Sequence, residues 1–201
     1  TPAGLNPHES NKVNEKRGLL GLAQGNGQNF AVYDLNGDCA HPKLASSIMV
    51  PNSRGHMSGW AEDGKTFYIG QQFRGVGGIL PIIDVTDPYN AKWLLNWTFT
   101  GDGRPHDVST NNDGTRLYAG QAGNFGAPQD NSSFGPDGLV ILDVSDIQFR
   151  RPNPQIQIVS KLFWDDQGQA EQMLPFFSHG RSYLISTDES EMYQAASVPI
   201  P

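Results

Sequence analysis

The chain is 201 residues long, room for one ordinary domain but short for two. Only 17% of residues are charged and the formal charge is −7, which argues against a disordered charged tail and against nucleic acid or an anionic membrane surface as the main partner. Turn residues, led by 23 glycines and 14 prolines, recur roughly every eight to twelve positions, which argues against a strongly helical fold.

In chain order, the opening TPAGLNPHES is polar, so no signal peptide is expected within it. No run of 18 apolar residues occurs anywhere, so no transmembrane span is expected. His8 begins the first of a series of related segments. Residues 56–70 (HMSGWAEDGKTFYIG) align without a gap on residues 106–120 (HDVSTNNDGTRLYAG), matching His, Asp-Gly, Tyr and Gly. His8 falls on His56 and His106, and Glu15 on Asp63 and Asp113. A fourth copy starts near Gln172, which takes the histidine position, while His179 falls in a turn before GRSYLI.

Each copy continues in the same order. Asp-Gly at 63–64 and 113–114 signals a hairpin. An apolar strand then ends in an acidic turn: NFAVYDLNGD, GILPIIDVTDP, GLVILDVSDI. In Asp84-Val-Thr-Asp-Pro88 the aspartates can satisfy local N–H groups and the proline fixes φ. A last strand follows: KLASSIMV, KWLLNWTF, QIQIVSKLFW. The runs Ile79–Val85 and Leu139–Val144 are almost continuously apolar, as expected of strands covered on both faces. Four short strands repeated over roughly fifty residues predict an all-β fold, a β-propeller of four-stranded antiparallel blades. The expected organisation is a single partial propeller domain over 1–201, with blades at about 8–50, 56–100, 106–165 and an incomplete 172–189.

The ordered segments HESNKVNEKRGLLGLA, YDLNGDCAHP, AEDGKTFYIG, IIDVTDP, NNDGTRLYAG, GLVILDVSDIQFRRPNPQ and GRSYLISTDE resemble the LVIVD-repeat β-propeller proteins, from about residue 7 to 189. That resemblance implies a propeller fold and a secreted or cell-surface location, with more repeats than are present here. Propellers close with about four to eight blades. The remaining blades are therefore expected either from further sequence or from another chain, and the chain alone is expected to be insoluble or oligomeric.

The recurring histidines are the first candidate site. At equivalent blade positions, His8, His56, His106 and Gln172 are expected to form an arc at one mouth of the central channel. Two readings stand. The three imidazoles, with Glu9, Met57, Asp107 or Met173 beside them, could hold Zn or Cu for hydrolysis or redox chemistry. Alternatively each imidazole fastens its own blade, His56 to Asp63 and His106 to Asp113. The second candidate is an insertion at 121–137, where Phe125 and Phe134 could cap a pocket for a sugar or peptide. The function expected is a binding module that takes a protein or glycan on its loop face, with a metal-dependent enzyme as the alternative.

Smaller features complete the reading. Sequons at Asn96 and Asn131 mildly favour secretion. Cys39, the single cysteine, is a buried apolar residue or half of a bridge to another segment. His41 and Arg150-Arg151 read as turn and surface-bend residues, and Asp188-Glu189 as an acidic strand end that could hold a ligand.

Overall fold

The structure is a computed structural model that describes residues 6–7, 9–25, 27–71, 78–99, 103–122, 137–164 and 169–189. Expectations placed on His8, Phe125, Phe134 and Asn131 lie outside these residues.

Three four-stranded antiparallel sheets and a hairpin follow one another along the chain. The first holds β1 (Asn11–Asn14), β2 (Leu19–Ala23), β3 (Asn29–Asp34) and β4 (Lys43–Met49). The second holds β5 (Gly59–Trp60), β6 (Thr66–Tyr68), β7 (Ile79–Asp84) and β8 (Lys92–Thr98). The third holds β9 (Pro105–Thr110), β10 (Arg116–Gln121), β11 (Asp137–Asp143) and β12 (Gln157–Trp164). A two-stranded sheet, β13 (Ala170–Ser178) and β14 (Arg181–Asp188), ends the series. Strands pair strictly in sequence order, the up-and-down connectivity of propeller blades. Among the described residues, helix is confined to one turn, α1 (Ser145–Gln148), and a 3-10 turn at Pro88–Asn90.

Turn chemistry sets these boundaries. Asp63 and Asp113 sit in longer connections than a two-residue hairpin: Gly64 donates its N–H to Ala61, and the turn ends with Gly64 at φ 67°. Each third strand stops at an aspartate whose side chain accepts the N–H two residues on, Asp34 from Asn36, Asp84 from Thr86 and Asp143 from Ser145, each at 2.9 Å. The hydroxyl and N–H of Ser145, with Arg116 behind them, hold the Asp143 carboxyl below the usual carboxylate range. Asp87 accepts from Tyr89 N–H at 3.0 Å, with Pro88 opening the 3-10 turn.

The third strands are covered on both faces because the core lies between sheets. Phe30, Val32, Phe67, Ile69 and Ile83 pack between the first and second sheets. Tyr68, Leu80, Ile82, Leu117, Val140 and Leu142 pack between the second and third. Period-two alternation sends Phe67 one way and Tyr68 the other. Phe67 stands 4.8 Å from Phe30 and 4.9 Å from Trp60, ring to ring. The fourth strands β4, β8 and β12 are largely exposed.

Arg150 corrects the reading of its segment as a surface bend. From a left-handed backbone position (φ 53°) it reaches back to the second sheet, donating to Thr66 Oγ1 at 2.9 Å, Lys65 O at 2.7 Å and Asp84 at 3.1 Å. Cys39 is exposed, so its reading as a small buried hydrophobe does not hold. The Asn96 side chain is already engaged, donating to Pro51 O at 2.8 Å and accepting from Trp93 Nε1 at 3.0 Å.

Candidate functional site

The first strands β5, β9 and β13 lie side by side, and their starting ends carry the site. Glycine permits that closeness. A Cβ on Gly59 would stand 2.3 Å from the Val108 carbonyl oxygen, a contact no side chain tolerates. Seryl groups stitch the same seams: Ser10 donates to the His56 carbonyl and Ser109 to that of Met173.

His56, just before β5, and His106, in β9, are both fully buried. Their rings stack, with centroids 4.3 Å apart and planes at 23°. His56 Nε2 is 3.4 Å from a Glu9 carboxylate oxygen, and His106 Nε2 is 3.3 Å from one of Glu189. His106 Nδ1 is 3.3 Å from the Ala170 carbonyl of the neighbouring sheet. The contacts therefore run between blades.

This overturns the fastening of each imidazole to the aspartate of its own hairpin. Asp63 accepts instead from Lys65 N–H at 2.9 Å and the Gln148 amide at 3.0 Å. Asp113 accepts from the Thr115 N–H at 2.9 Å and hydroxyl at 2.5 Å. The reason is geometric. His56 donates its N–H to Gly70 at the open end of the β5–β6 hairpin, whereas Asp63 sits at the closed end. His41 pairs with Asp38 at 2.8 Å on the surface, and His179 with Gly180 forms the β13–β14 turn.

For the metal reading, the structure brings His56 and His106 together, but among the described residues no group of three or more His, Cys, Asp or Glu could hold an ion. Met57 and Met173 are buried in the protein interior.

Carboxylates surround the stacked pair. Asp107 is buried, and that burial pushes its carboxyl above the usual range against the pull of Lys12. Glu171 is also raised, first by partial burial, then by the charges of Glu189, Glu9 and Asp107, with His106 opposing. Glu9 and Asp107 carried a sequence signal because they follow repeat histidines, and Glu189 because it closes an acidic strand end. Glu171 did not, because the histidine position of the fourth copy was assigned to Gln172. β13 is irregular there: its register shifts between Glu171 and Leu174, and Gln172 takes φ 34°. Gln172 turns to an adjoining groove.

That groove has a volume of about 450 Å³. Its walls include Lys12, Trp60, Glu62, Asp107, Asn112 and Gln172, with hydroxyls from Ser58, Ser109 and Thr110. Trp60 is held by its indole N–H, which donates to Lys12 O at 2.8 Å. Lys12, Trp60 and Glu62 were not singled out from sequence, because their strands converge only in the fold. Asp137, at the end of the insertion, accepts from Ala170 N–H at 2.8 Å and ties the third sheet to the hairpin.

Solved structures with this architecture include a candidate 6-phosphogluconolactonase from Bacteroides uniformis, with a TM-score of 0.57 and 12% identity, covering 90% of this chain and 54% of that one. A second candidate 6-phosphogluconolactonase, from Bacteroides fragilis, has a TM-score of 0.56 and 10% identity over 77% of this chain and 38% of its own. A protein of unknown function from Desulfotomaculum acetoxidans has a TM-score of 0.53 and 11% identity over 77% and 41%. The chain spans between 38% and 54% of the length of these proteins. No family model matches the chain, and no curated protein matches it in sequence. At such identities the likeness concerns the fold alone, and with the sheet order and connectivity it leads to one conclusion: the chain has the β-propeller fold, built of four-stranded antiparallel blades.

Proposed function

We propose that the chain belongs to a secreted or cell-surface propeller of the LVIVD-repeat type and acts as a binding module for glycans. The carrying observation is the groove along the first strands, where one indole ring is surrounded by acids, amides, hydroxyls and a lysine. Sugars present apolar C–H faces and rings of hydroxyls. An aromatic wall with convergent donors and acceptors suits both. Asp107 and Gln172 would accept and donate to ligand hydroxyls, and the His56–His106 pair beside them would keep the seam between blades rigid. Support for the repeat type and location comes from the ordered motifs and from the sequon at Asn131. No observation among the described residues favours the metal-dependent alternative.

The test is a glycan array followed by titration calorimetry on the best binder. Gln172→Ala and Asp107→Asn should each weaken binding about tenfold or more, roughly the loss of one hydrogen bond to a charged or well-placed partner. A blank array, or binding unchanged in both variants, would refute the glycan reading.

A further inference from the structure

Among the described residues, Lys12 is the only basic side chain that lines the groove along the first strands. It lies in β1, and the strands follow one another past the groove as β1, β5, β9 and β13. Its charge reaches Asp107 on β9. Gly59, in the strand between them, contributes no side chain.

The three charges of the groove wall are not equally open to a ligand. Glu62 is taken up by the Lys16 ammonium, which bonds its carboxylate. Asp107 is only 4% exposed, and burial works against its charge. Lys12 is half-buried, and its ammonium makes no hydrogen bond or ion pair among the described residues. The charge that a ligand meets first is therefore positive. The same residue holds the aromatic wall, because the Trp60 indole N–H donates to the Lys12 carbonyl at 2.8 Å. Ring and ammonium thus belong to one fixed unit. A pyranose lying on the indole brings its substituents beside that ammonium, and an anionic substituent gains a charge-assisted hydrogen bond there.

We propose that the groove selects acidic sugars, a pyranose stacking on Trp60 while its carboxylate or sulfate accepts from the Lys12 ammonium. The proposal rests on the glycan reading of this groove and names the class of glycan. Lys12 then sets specificity, whereas Asp107 and Gln172 meet hydroxyls that all sugars carry. Glu9, Glu171 and Glu189 gather around the neighbouring histidine pair and add negative charge there. They disfavour a run of acidic groups, so the fitting ligand carries one isolated anionic group.

The experiment is a glycan array of matched disaccharides of glucose, galactose and mannose, read with the full chain and followed by calorimetry. Each sugar is present as the neutral parent, the single uronate, the methyl ester of that uronate, the 6-sulfate and the amino sugar. The acid should bind about tenfold or more tightly than its ester, which differs in charge alone. That advantage should shrink severalfold between about 50 and 500 mM salt, because the ammonium is not fully buried. Lys12→Gln should abolish the difference between acid and ester, and Lys12→Arg should keep it. Both variants retain the carbonyl that holds Trp60, and the tryptophan emission spectrum checks that the fold is kept. Preference for the uronates, for the 6-sulfates or for both supports the proposal and assigns the source of the charge. Equal binding of acid and ester, an acid preference that survives Lys12→Gln, or a preference for amino sugars would each overturn it and leave the glycan reading standing. A blank array would take both down.

Discussion

Replacing His106 by alanine removes a fully buried ring of the third sheet that touches both neighbouring sheets. The Ala170 carbonyl loses a donor in the interior, worth roughly 1–3 kcal/mol. The stack on His56 is lost as well, about 0.5–1.5 kcal/mol by analogy with aromatic pairs. Together these give about 2–4 kcal/mol, a large part of the roughly 5–15 kcal/mol that holds a typical domain. With a urea slope of about 2–3 kcal/mol/M for a chain of this size, the midpoint should fall by roughly 1 M. Tryptophan fluorescence during urea unfolding reads it. The sharper measurement is a pair of double-mutant cycles. His56→Ala with His106→Ala should show a coupling of about 0.5–1.5 kcal/mol, because the rings are in contact. His106→Ala with Asp113→Asn should be additive within about 0.5 kcal/mol, because Asp113 bonds Thr115 and not the imidazole. Coupling to Asp113 above about 1 kcal/mol, with none to His56, would refute the account of the histidines as a seam between blades.

Further outcomes follow from packing and charge. Phe67→Ala, in the core between the first two sheets, should cost about 3–5 kcal/mol in urea unfolding, and a cost under about 1 kcal/mol would show that this core is not packed as described. Gly59→Ala should cost about 1–3 kcal/mol, since its Cβ would force β5 away from the Val108 carbonyl; an unchanged melting temperature would contradict the close approach. Asp107 has its folded pKa raised by burial, so its contribution is full below the unfolded value of about 3.9 and is lost as pH rises through the folded value. Asp107→Asn, always neutral, should therefore gain in melting temperature relative to the parent on going from about pH 4 to about pH 7. A relative loss would mean that the attraction of Lys12 outweighs burial.

The sequence by itself determined the strands and their order. Alternation of apolar residues, Asp-Gly turns and Asp-ended runs such as GLVILD are local signals, and each acts over a few residues. Repetition of those signals gave the sheets, because one blade cannot bury its own faces and must stack on another. The His56 and His106 positions were legible for the same reason, as equivalent residues of equivalent blades. Their partners were not. Glu9 and Glu189 meet the two imidazoles from opposite ends of the described chain, and Gln172 leaves them for a groove where the register of β13 shifts. Nothing in the spacing of a β-strand announces such a shift. Arg150 shows the same limit: as sequence it follows an acidic turn, but a left-handed backbone carries its guanidinium into the neighbouring sheet. Contacts within a blade follow from short-range pattern, whereas contacts between blades depend on how closely the first strands approach. That distance is set by glycines such as Gly59 and by side chains far apart in the chain, and only the assembled fold decides it.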